Sequence, residues 1–273
     1  MNGAAMRLRD FLNRHPVFTV VELDQFLAEE GTGNRRTRES MLTYHRRHGH
    51  VVPVRRGLYV AVPAGTSPEA VAVDPYLLAA RMTEDAVLAY HTALEFHGRA
   101  YSTYHRFVYL TSRRSLPVVF RSYEFHPAPF PAALTTKGQE GFGVITAERA
   151  GLTVRVTSLE RTMVDVLDRP NLAGSWEEIW RSLESVEYYD LDAVVQYALL
   201  LGNATTVAKV GYFLSQHRER LMVSDAHLEL LRKHRPRTAH YLVRRDRTGG
   251  SFEPDWNLVV PREIVERSWA EVL

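Results

Sequence analysis

"RRTRESMLTYHRRHGHVVPVRRGLYV", residues 35–60, holds seven arginines against one acid, Glu39. The arginines are Arg35, Arg36, Arg38, Arg46, Arg47, Arg55 and Arg56. The whole chain of 273 residues carries a formal charge of only +2, so positive charge is concentrated here. On a helix over 35–48, Met41 and Leu42, with Tyr44 or His45 nearby, supply the buried side. On the opposite side Arg36, Ser40, Thr43 and Arg47 recur at helical spacing and make one stripe. Arginine reaches guanine edges or phosphates, and hydroxyls reach either. Glu39 accepts from a cytosine amino group or pairs with a neighbouring arginine. Gly49 closes the helix as glycine often does. Beyond it "HVVPVRRGLYVAVP" reads as a short hairpin with Arg55 and Arg56 at its tip, where they reach phosphates or an adjacent minor groove.

Upstream, "MRLRDFLNRH" sets Leu8, Phe11 and Leu12 on one helical face, and Pro16 ends it. "TVVELDQFLAEE" opens with Thr19 and Glu22 as a capping box and carries an apolar stripe of Val20, Leu23, Phe26 and Leu27. "EGTGN" then breaks the chain before the arginine-rich helix. Three helices and a basic hairpin make a winged helix-turn-helix over residues 1–62, whose third helix enters the major groove. A basic helix alone is often a solvated face. The three apolar stripes, the glycine break and the hairpin together favour a phosphate-binding footprint, with affinity that falls steeply with salt.

"PAGTSPEAVAVDP", residues 63–75, has three prolines and small residues and reads as a linker. Residues 76–273 have the pattern of a mixed α and β domain. "YLLAARM" and "VLAYHTALEFHG" read as helices; "HRFVYLTS", "LPVVFRSYEFH", "GFGVITA" and "LTVRVTS" read as strands. Thr157 with Glu160, and Ser175 with Glu178, are capping boxes that open two helices. Helical runs follow in "LDAVVQYALLL", "TTVAKVGYFLSQH" and "DAHLELLRKH"; "HYLVRRD", "DWNLVVP" and "REIVERSWAEVL" suggest two strands and a last helix. The expected fold class is α+β: a winged helix-turn-helix, then a larger mixed α/β domain with a helical C-terminal part.

With no cysteine there is no disulfide, thiolate chemistry or Cys-ligated zinc site. No apolar run approaches the roughly 20 residues of a membrane span, and the N-terminus lacks a signal-peptide core, so a cytoplasmic protein is expected. His45, His48 and His50 lie close in sequence, but arginines crowd them and no carboxylate completes a metal shell. His91 and His97 are too far apart for a His-Glu-x-x-His zinc helix and read as packing or capping residues. There is no nucleophile elbow and no phosphate loop. "GSWEEIW" offers Gly174 and Ser175, yet no carboxylate pair follows on a strand; Asp190 reads as a helix cap. Glu160, Arg161, Asp165 and Asp168 read as intrahelical pairs, and Trp176 and Trp180 as core. No enzyme, cofactor or metal is expected.

"RRGLYV" (55–60), "AVLAYHTALEFHG" (86–98), "VTSLERTMVDVLDRP" (156–170), "GYFLSQH" (211–217) and Trp-x-Leu-x-Val-Pro (256–261), in this order, resemble the AbiEi family. These are antitoxins of type IV toxin–antitoxin and abortive-infection systems. The resemblance runs along almost the whole chain. It implies a winged helix that binds inverted repeats in the operon's promoter and represses it, and a C-terminal domain that counteracts a nucleotidyltransferase toxin. The residues it assigns to DNA are Arg35, Arg36, Ser40, Thr43, Arg46, Arg47, Arg55 and Arg56, to which Arg38 is added from the same cluster. It assigns no toxin-neutralising residue and leaves open whether the toxin is touched. The other function class is a stand-alone winged-helix regulator whose C-terminal domain senses a ligand or mediates assembly.

Overall fold

A computed structural model describes residues 2–31, 34–243 and 250–267, with side chains from Leu8 onward. The first elements are α1 (Asn2–Arg14), β1 (Val17–Thr19), α2 (Val20–Glu29), α3 (Arg35–Arg47), β2 (Val51–Arg55) and β3 (Leu58–Ala61). The three strands form one sheet in the order β1-β3-β2, all antiparallel. Val17 faces Val60 and Thr19 faces Leu58; Val52 also faces Val60. Three helices with this sheet are a winged helix-turn-helix unit. The two-stranded hairpin expected from sequence is thus three-stranded, because the short β1 joins it.

The unit is held by the apolar stripes read from its helices. Leu8, Phe11, Phe18, Leu23, Leu27, Leu42, Val51 and Ala61 are buried together. Phe11 meets Phe18 edge-on at 5.4 Å and Phe26 at 4.9 Å. Each such large side chain contributes about 1.5–3 kcal/mol when removed from water. Thr19 and Glu22 form the full capping box, with the Thr19 backbone N–H donating to Glu22 Oε2 at 2.6 Å. The same carboxylate receives Arg81 Nε at 3.0 Å through its other oxygen. Thr32 and Gly33 of the glycine break lie outside the described residues.

The larger part follows with α4 (Pro75–Ala80), β4 (Val87–Leu88), α5 (His91–Phe96), β5 (Arg106–Leu110), β6 (Val118–Phe120) and β7 (Tyr123–Ala128). Then come α6 (Ala132–Lys137), β8 (Val144–Arg149), β9 (Leu152–Thr157), α7 (Leu159–Asp168) and a 3-10 turn at Pro170–Leu172. Four helices succeed it: α8 (Trp176–Glu184), α9 (Leu191–Leu201), α10 (Ala204–Gln216) and α11 (Asp225–Lys233). The last described elements are β10 (His240–Tyr241), β11 (Ser251–Glu253), β12 (Leu258–Val260) and α12 (Arg262–Val265). This is an α+β chain with a winged helix-turn-helix unit, a mixed α/β domain and a helical C-terminal part.

The chain divides into two compact units. One is Met1–Ala86 with His105–Pro127 and Thr146–Arg155; the other is Val87–Tyr104 with Ala128–Ile145 and Val156–Leu273. In the first, β6, β7 and β5 lie side by side in that order, with Val118 facing Phe125. Residues 63–74 form no helix or strand there, and the Arg121 guanidinium donates to the carbonyls of Val71 and Pro68. In the second, β4 and β9 pair in parallel through Leu88 and Val156. Its C-terminal sheet runs β10-β12-β11. Trp256 is buried against Gly211 of α10, where a Cβ would sit 2.1 Å from the indole.

Several sequence expectations change. Val87 and Leu88 are a strand, not the start of a helix, and the helix spans only His91–Phe96. Ser158, not Thr157, caps α7 by accepting from the Arg161 backbone; the buried Thr157 hydroxyl turns to Thr162 at 2.7 Å. Ser175 caps α8, but Glu178 does not reach back to it, because buried partners hold its carboxylate. Asp190 caps α9 as expected. Residues 244–246 of the expected strand and 268–273 of the expected last helix lie outside the described residues.

Candidate nucleic-acid interface

The start of α3 is fixed by Asn34, whose side chain accepts from the Thr37 N–H at 2.8 Å. Leu42 enters the core, and His45, half-buried, joins Leu8, Leu12, Phe18 and Met41 around a small apolar gap. Tyr44 takes the other direction and is 53% exposed, so of the two side chains considered for the buried side only His45 goes inward. With one face committed, the opposite face must carry the stripe. Arg36, Ser40, Thr43 and Arg47 are all exposed and line one shallow hollow of about 430 Å³. Glu39, Tyr44 and His48 complete its wall.

The other arginines are placed differently. Arg35 donates to Glu39 at 2.8 Å, an exposed pair that raises the arginine's pKa and lowers the glutamate's through their hydrogen bond and mutual charge. Arg38, outside the stripe, pairs with Asp24 on α2. Arg46 is exposed but does not line the hollow. Arg55 and Arg56 sit at the hairpin tip, where Gly57 takes φ +83° and its carbonyl accepts from the Val20 N–H at 2.9 Å. A Cβ on Gly57 would lie 2.9 Å from Val20, so the tip fits tightly against the start of α2. Both arginines line a second hollow, which shares no residue with the first.

Three histidines gather at the end of α3. His45 Nδ1 and His50 Nδ1 lie 3.0 Å apart, so one ring donates and the other accepts. His48 stacks near Tyr44 at 4.0 Å and bonds the Tyr44 carbonyl. Burial, then the neighbouring His50 and His48, push the pKa of His45 down. Among the described residues no group of three His, Cys, Asp or Glu side chains is placed to hold a metal ion.

In the second unit several titratable residues are buried and bonded to one another. His91 is 1% exposed and donates through Nε2 to Glu178 at 3.0 Å, while Tyr104 stacks on its ring at 3.9 Å. Burial works to raise the Glu178 pKa, but bonds from His91, Ser102 and Ser182 hold it at about 2. Arg161 and Asp165 pair at 3.3 Å, and Tyr197 donates to Asp165 at 2.6 Å. His97 donates to the Thr157 carbonyl at 2.8 Å. Trp180 is fully buried and meets Trp176 edge-on at 6.4 Å. Among the described residues no helix is long and apolar enough to cross a membrane.

No family model and no curated protein matches this chain. A solved structure does: the RV2827C protein from Mycobacterium tuberculosis, with a TM-score of 0.61. The chain shares its fold. The match covers 98% of this chain and 94% of the mycobacterial one at 19% sequence identity. The likeness thus includes both the winged helix-turn-helix unit and the mixed domain behind it.

Proposed function

We propose that the chain is a sequence-specific DNA-binding antitoxin of the AbiEi kind, which represses its own operon. The observation that carries the DNA-binding part is the joint exposure of Arg36, Ser40, Thr43 and Arg47 on the third helix of a winged helix-turn-helix. In that geometry α3 lies in the major groove, Arg36 and Arg47 reach base edges or phosphates, and the hydroxyls of Ser40 and Thr43 add short contacts. Arg35, Arg46, Arg55 and Arg56 supply phosphate contacts around it. Arg38, held by Asp24, supports the helix from behind. The antitoxin part rests on the ordered sequence segments that resemble the AbiEi family. The partners are promoter repeats and a nucleotidyltransferase toxin, and the protein catalyses nothing.

Two experiments test this reading. Arg36→Ala with Arg47→Ala should abolish preference for the chain's own promoter over unrelated duplex, with the fold intact by circular dichroism. Undiminished preference in the double variant rejects the α3 assignment. Inducing the adjacent gene in cells with and without the full chain tests the antitoxin part. Growth arrest rescued by the chain supports it; a harmless neighbour, or arrest without rescue, leaves a stand-alone regulator.

A further inference from the structure

The second hollow measures about 460 Å³. Its wall comes from the start of α2, the hairpin tip, residues 80–84, Ala86 and residues 153–155 of β9, all within the first unit. Four arginines line it: Arg55, Arg56, Arg81 and Arg155. Two carboxylates line it too, and both are occupied. Glu22 accepts from Arg81 at 3.0 Å and from the Thr19 N–H at 2.6 Å. Glu84 accepts from Arg113 at 2.8 Å. Arg55, Arg56 and Arg155 have no carboxylate partner among the described residues. Arg155 donates to the Glu84 backbone carbonyl at 2.9 Å, which orients its guanidinium without neutralising it. Three cationic forks thus line one volume whose two acids are paired with other arginines, and a bound polyanion would neutralise them.

We propose that this hollow binds a small polyphosphorylated molecule, with its phosphates held by Arg55, Arg56 and Arg155. The volume lies within the roughly 300–1,000 Å³ of small-molecule sites. Gln25 adds a neutral amide to the wall, and Val20 and the exposed Val21 add apolar surface for the rest of the ligand. Such a ligand touches the hairpin tip directly. A duplex backbone offers the same phosphate chemistry, and the test separates the two sources.

The probe is pyrophosphate, titrated calorimetrically into the full chain without DNA. One site per chain is expected. Arg155→Gln and Arg56→Gln should each weaken it about tenfold or more, as expected when one charge-assisted hydrogen bond is removed. Arg36→Gln, on the other hollow, should leave it unchanged. Arg155→Lys, which keeps the charge but not the fork, should fall between wild type and Arg155→Gln. The wild-type titration is informative even where a variant fails to fold. No heat at millimolar pyrophosphate overturns the proposal, as does equal weakening by Arg36→Gln. Loss of duplex binding in Arg155→Gln, with no pyrophosphate binding in the wild type, makes the hollow a seat for the DNA backbone and also overturns it. A protein that binds pyrophosphate but no DNA leaves this site standing and rejects only the function proposed above.

Discussion

Arg38 on α3 is ion-paired with Asp24 on α2, whereas Arg36, on the same helix, opens onto the surface hollow. The two arginines therefore sit in different surroundings. Arg38 is 19% exposed and Asp24 44% exposed, so solvent screens the pair and its worth is about 1 kcal/mol at most. Arg38→Ala should lower stability by about that amount while keeping the ratio of promoter to unrelated duplex affinity. Urea melts and fluorescence anisotropy on the same preparation check both halves. Loss of that ratio on the scale of Arg36→Ala would return Arg38 to the recognition surface.

The hairpin tip should act without reading sequence. Arg55→Ala with Arg56→Ala is expected to weaken binding to all duplexes about equally. The slope of log affinity against log salt should fall by about one for each phosphate that the protein no longer neutralises. A change in sequence preference instead would place the tip against base edges.

Acid should loosen the winged helix-turn-helix unit through His45. Burial and the neighbouring His50 and His48 lower its folded pKa, so the unfolded chain takes up the proton first as pH falls. Stability then declines as pH drops below the ordinary imidazole value of about 6.5, and the decline ends below the lowered folded value. His45→Leu fits the apolar gap beside Leu8 and Met41 and should flatten stability between about pH 7 and 5. Thermal melts across that range compare the two; parallel curves would refute the assignment.

Glu178 gives an acid limb of its own. Its folded value of about 2 lies below the usual 4.5, so its stabilisation is fully present above 4.5 and is lost as pH falls towards 2. Glu178→Gln keeps the shape and removes the charge that accepts from His91, Ser102 and Ser182. At neutral pH it should cost about 1–3 kcal/mol, and the slope between pH 4.5 and 2 should flatten. An unchanged acid limb would mean other carboxylates dominate it.

What sequence disclosed depends on how local each feature is. The α3 stripe was legible because its four residues repeat at helical spacing and its apolar partners sit on the other side. Asp190 and the Thr19–Glu22 box were legible for the same reason. Strand β1 was not, since three residues between two helices give no alternation to read. Ser158 displaced Thr157 as the cap because the Thr157 hydroxyl finds Thr162 and the Leu88 carbonyl inside the fold. Arg38 looked like its neighbours in sequence, and only the approach of α2 gives it a partner. Arg155 could not be joined to Arg55 by any spacing rule, because the fold alone brings β9 beside the same hollow. The burial of His91 against Glu178 likewise spans two distant segments.

Glu22 divides its two oxygens between two duties: one holds the Thr19 end of α2, the other holds Arg81. The cost of losing one member of this pair is therefore unequal to that of losing the other. Losing Arg81 keeps the whole capping box, whereas losing the Glu22 side chain removes its reciprocal half and strands a nearly buried guanidinium together. Among related sequences, position 81 should change before position 22, with glutamine as the first replacement at 22.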